Sequence, residues 1–84
     1  MNPRKLLQRI LSGSRNVRFC DMVMLVRAFG FQELRITGSH HIFGHPDVDE
    51  LVNLQEVGGQ AKPYQIRQFL GIIEEYDLSL AEDS

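Results

Sequence analysis

The apolar residues of this chain change their spacing twice, and that alternation limits the fold more than any other feature. Leu6, Leu7, Ile10 and Leu11 recur at helical intervals, behind a proline, Pro3, of the kind a first helical turn accepts. Ser12-Gly13-Ser14 stops the pattern, and Arg15-Asn16 continues the loop. Phe19, Met22, Val23, Val26 and Phe29 make a second helical stripe over residues 18–29. Asp21 suits its first turn, and Gly30 suits the position just past its end. The period then falls to two. Leu34 and Ile36 alternate with Arg35 and Thr37, Gly38-Ser39 reads as a turn, and residues 40–45 follow as a second strand. Pro46-Asp47 is another turn before a third strand over residues 50–57, in which Val52 and Leu54 face one way. Gly58-Gly59 breaks it. From Pro63 the helical period returns, with Ile66, Phe69, Leu70, Ile73 and Tyr76 on one face.

The order α-α-β-β-β-α predicts an α+β fold. A three-stranded antiparallel meander with the helices packed on one face would bury both kinds of apolar stripe. With 84 residues, there is room for a single domain, residues 1–84, and residues 81–84 read as a frayed acidic tail. No repeat, linker or low-complexity segment interrupts it.

The single cysteine, Cys20, rules out an intrachain disulfide and fits a reducing, cytoplasmic compartment. On its helical stripe Cys20 reads as a core residue rather than a nucleophile. The N-terminal residues lack the apolar run of a signal peptide, and no stretch is long and apolar enough to span a membrane. Net charge is −2, but it is unevenly spread. Residues 1–38 hold seven basic and two acidic residues, whereas residues 39–84 hold two basic and nine acidic ones. A basic N-terminal face suits phosphate; charge pairing across the fold, for solubility alone, explains the same asymmetry.

All three histidines, His40, His41 and His45, fall within six residues. Histidine's ordinary pKa of about 6.5 suits proton transfer near neutral pH. RNA cleavage needs a base for the 2′-hydroxyl proton and an acid for the leaving 5′-oxygen. Gly38 and Ser39 beside His40 would let a phosphate approach the main chain. Strand alternation puts His40, Ile42 and Gly44 on one face and His41, Phe43 and His45 on the other, so the adjacent histidines should not share a role. Ordinary surface histidines are the plainer reading, and a metal site of His41, His45 and Asp47 or Asp49 is a third. In a strand, however, residues four apart are separated by roughly 13 Å.

Gly38-Ser39-His40-His41-Ile42-Phe43 followed by His45-Pro46-Asp47 resembles the central motif of the HicA (YcfA-like) toxins. Lys62-Pro63-Tyr64-Gln65-Ile66-Arg67-Gln68-Phe69-Leu70 resembles the start of that family's last helix, and the resemblance covers roughly residues 18–78. Residues 1–14 look like a helical extension found in some members. The resemblance implies a fold like a double-stranded-RNA-binding domain. It also implies a metal-independent ribonuclease that cuts messenger RNA without a cofactor and is neutralised by a HicB-type antitoxin. It places the catalytic histidine at His40, with Gly38, Ser39, His41, Arg35 and Lys62 around it to bind RNA or support the site. Where such proteins commonly carry Lys or Arg in the third strand, this chain has Asp47, Asp49, Glu50 and Glu56. A weaker grip on RNA from that side is expected, or a different face using Arg15, Arg18 and Arg35.

Overall fold

A computed structural model describes residues 2–80, and the tail expected over 81–84 lies outside the described residues. Helix α1 spans Pro3–Leu11 and α2 spans Phe19–Ala28. Strands β1 (Gln32–Thr37), β2 (His40–His45), β3 (Val48–Val57) and β4 (Gln60–Ala61) follow, and α3 (Pro63–Glu75) completes the order. The strands form one antiparallel meander, β1-β2-β3-β4. The fold is therefore the α+β arrangement that the alternating periods predict, with one strand more.

That fourth strand comes from the Gly58-Gly59 pair, which does more than break β3. Both glycines have positive φ, 60° and 79°. Two such residues in succession fit the turn of a tight hairpin, and side chains resist that backbone. The chain therefore folds back, and Glu56 and Val57 pair with Ala61 and Gln60. Residues just before α2 cover the outer edge of β4 through an Arg18–Gln60 bridge and a 3.0 Å bond from the Ala61 amide to the Val17 carbonyl.

Local chemistry explains the helix ends. The Asn2 side chain accepts from the amides of Arg4 and Lys5 at 2.8 and 3.3 Å, with Pro3 directly behind it. Gly30, with φ of 97°, follows the cap residue Phe29 of α2, and its amide returns to the Arg27 carbonyl.

The core gathers Phe43, Val52 and Leu54 from the inner sheet face, Met22, Leu25 and Val26 from α2, and Ile66 and Phe69 from α3. Leu6 and Ile10 join it from α1. Phe69 meets Phe29 and Phe31 edge-on, at centroid distances of 5.6 and 5.7 Å. A buried glutamine ties α3 to the sheet: Gln65 Oε1 accepts from the Gln55 amide at 2.7 Å. Cys20, expected in the core, is instead exposed. Phe19 and Met22 define the inward side of α2, and the residue after Phe19, about 100° further round the helix, turns outward.

β1 departs from simple alternation. A register shift lies between Glu33 and Arg35. The extra residue this inserts leaves Leu34 and Arg35 together opposite Ile42, on the open side of the sheet. Leu34 packs over Gly44 there, and Ile36, on the inner side, lies beyond the reach of the helices; they stay 55% and 56% exposed.

Candidate functional site

β2 is the second strand from the free β1 edge, paired on both sides, and its two faces meet different surroundings. As strand alternation requires, Phe43 is fully buried under the helices while Ile42 and Gly44 face the open side. The adjacent histidines separate in the same way.

His40 opens β2 on the solvent face. Its Nδ1 lies 3.2 Å from Asn53 Oδ1 of β3. A carbonyl oxygen only accepts, so in this contact Nδ1 is the donor and Nε2 is left out of it. Next to it, Gln55 Nε2 donates to Ser39 Oγ at 3.3 Å, and the Glu56 amide donates to the Ser39 carbonyl. The tip of the hairpin is thereby fixed to β3. Gly38 has φ of 62°, and a Cβ there would meet nothing within 4 Å, so the turn is open to an approaching ligand.

His41 faces the other way. Its Nδ1 lies 2.7 Å from Glu33 Oε2, and its ring lies 4.7 Å from the Phe19 ring. Arg27 approaches the other Glu33 oxygen at 3.7 Å. The carboxylate accepts from His41 Nδ1, which holds the ring between α2 and the sheet. His45 has the opposite tautomer: its Nδ1 accepts from the Asp47 amide at 3.0 Å, so Nε2 holds the proton beside Gly30.

Six residues were expected at the site. Gly38, Ser39 and His40 come together at the hairpin tip, and Arg35 shares their open face along β1. His41 does not join them. Lys62 lies across β3, as the residue that caps α3, with its ammonium 5.7 Å from the Tyr64 ring. His41 binds the Glu33 carboxylate and His45 takes only the backbone amide of Asp47, so the two rings do not converge, and no group of three potential metal ligands occurs among the described residues. Asn53 and Gln55 were not anticipated. Their signal is faint but present: they alternate with Val52 and Leu54, so they had to share the face of His40. Glu33 has no such signal, because only the β1–β2 register brings it to His41.

No protein-family model, curated protein or solved structure matches the chain. Among the described residues, no helix is long and apolar enough to cross a membrane.

Proposed function

We propose that the chain is an RNA-cleaving domain of the HicA-like kind, with His40 as the proton-transfer residue. The observation that carries this reading is the tethering of His40 Nδ1 by Asn53, which leaves Nε2 unengaged on the open face beside the Gly38-Ser39 turn. In this mechanism Nε2 takes the proton of a 2′-hydroxyl, and the resulting oxygen attacks the adjacent phosphorus. The 5′-oxygen leaves and is protonated by solvent, since His41 is turned to the opposite face. The Ser39 region and the open turn receive the phosphate. A HicB-like antitoxin would cover the same face, where exposed Leu34 and Leu51 offer apolar contact.

The test is cleavage of a single-stranded RNA by wild type and by His40→Ala. The expected loss is on the order of 10²–10⁴-fold, the usual contribution of a general acid or base. The product should carry a 2′,3′-cyclic phosphate, and a 2′-deoxy substrate should stay intact. Equal cleavage by the two proteins would overturn the reading. In a bacterial host, expression of wild type but not of His40→Ala should arrest growth and deplete messenger RNA.

A second reading, a module that binds RNA or a protein without cleaving, is favoured by the exposed Asp49, Glu50 and Glu56 of β3. RNA binding that weakens with salt in a chain that cuts nothing would select it.

A further inference from the structure

Folding moves two cations out of the acidic half of the sequence and sets them beside two from the basic half. Residues 17–19 run antiparallel to residues 59–61, joined by the Arg18–Gln60 bridge and the Ala61-to-Val17 and Phe19-to-Gly59 hydrogen bonds. Val17 and Ala61 are buried, so alternation turns Arg18 and Lys62 outward. Arg15 and Arg67 line one concavity together with Gly13, Pro63 and the apolar Ile10, Ile66 and Leu70. Ion pairs form at Glu33 with Arg27 and His41, whereas Arg15, Arg18, Lys62 and Arg67 enter none among the described residues. The acidic neighbours are Glu56, which pairs with Ala61, and Glu74, which lines a second hollow with Arg67.

Helix stability does not explain this placement. α3 has no acidic residue in its first turn and no basic residue in its last, where Glu74 and Glu75 stand instead. Both ends therefore oppose the helix dipole. The cost is accepted, and a positive surface results.

We propose that Arg15, Arg18, Lys62 and Arg67 form a strip that holds the phosphate backbone of RNA. The inference rests on the RNA reading above and gives it a binding surface. The Arg18 and Lys62 end of the strip faces the histidine hairpin across the sheet, and Arg15 and Arg67 continue it round the edge beside α1 and α3. The Ser39 carbonyl bonds to the Glu56 amide, Glu56 pairs with Ala61, and Ala61 bonds to Val17. These are three strand spacings, roughly 14 Å. A strand of RNA can thus rest on the strip while a neighbouring nucleotide reaches His40. Arg35, expected to share such a face with Arg15 and Arg18, belongs to the far edge at β1 and is no part of it.

The experiment is a salt series of fluorescence-anisotropy titrations, using a fluorescein-labelled oligouridine and the full chain. Arg15→Gln/Arg67→Gln should reduce affinity by at least about tenfold. It should also flatten the slope of log affinity against log salt by about 1.4, or about 0.7 per lost phosphate contact on a single strand. Lys5→Gln, at the far end of α1, should leave the slope unchanged. Equal effects from the double variant and from Lys5→Gln would overturn the strip, as would a wild type without salt-dependent binding. Loss of polyglutamate binding with RNA binding intact would assign the surface to an acidic protein and overturn it too. Cleavage separates the two proposals. If His40→Ala cuts as wild type does while the slopes behave as expected, the catalytic reading fails and the strip stands. If the double variant binds and cuts RNA normally while His40→Ala is dead, the strip fails alone.

Discussion

His41 Nδ1 and Glu33 Oε2 lie 2.7 Å apart, with their side chains only 21% and 24% exposed. This bond joins β2 to the edge strand β1 under the ring of Phe19. His41→Ala removes the bond and the ring contact together and should cost about 1–3 kcal/mol. His40→Ala gives up one exposed contact with Asn53 and should cost less than about 1 kcal/mol. Urea unfolding of the two variants checks the difference, and equal losses would contradict their assignment to separate faces.

Gly30 and Gly44 both sit close to a neighbouring side chain, yet alanine should affect them differently. A Cβ on Gly30 would lie 3.0 Å from His45 Nε2, on a backbone whose φ of 97° already resists side chains. Gly30→Ala should destabilise the protein by roughly 1–3 kcal/mol. At Gly44 the nearest atom, at 2.9 Å, is the end of the exposed Leu34 side chain, which can swing away. Gly44→Ala should stay within about 0.5 kcal/mol of wild type. Thermal melts of both proteins test the contrast.

Phe43 is fully buried, and it pairs with Val52 at the centre of the sheet. Phe43→Ala should cost about 3–5 kcal/mol. The next residue toward the hairpin, Ile42, faces the open side, and its truncation should cost well under half of that. Chemical denaturation measures both.

The Tyr76 hydroxyl is pushed above its ordinary value by burial first, and then by the negative charges of Glu50 and Glu75. The folded protein thus holds this proton more firmly than the unfolded chain, where tyrosine ionises near pH 10. The resulting stabilisation is complete below about pH 10 and is lost as pH rises through the higher folded-state value. Ultraviolet titration of Tyr64→Phe, which leaves Tyr76 as the one tyrosine, should give a midpoint above that of free tyrosine. A midpoint at or below it would refute the placement.

Much of this architecture could be read from spacing alone. Helical stripes located α1, α2 and α3, and the alternation around His40 to His45 correctly divided that strand into two faces. Two elements escaped. β4 is two residues long, too short to show a period, and it exists because Gly58 and Gly59 both accept positive φ. Leu34 and Ile36 looked like one face of an ordinary strand, but a register shift that depends on pairing with β2 turns Leu34 to the open side, and Ile36, still on the inner side, lies beyond the helices. The same dependence hid Glu33. A contact between residues eight apart follows from the hairpin register, which a linear pattern does not state. Cys20 shows the converse failure, since its apolar character pointed inward while the turn of the helix carried it outward.

The division of the two adjacent histidines has a genetic consequence. A change at His40 would remove one exposed contact with Asn53 and leave the core and the His41–Glu33 bond at the sheet edge as they were. The altered protein should therefore still fold and accumulate. On the reading proposed above, a copy altered at His40 would act as a decoy for the antitoxin, whereas a lesion at His41 would more often simply remove the protein from the cell.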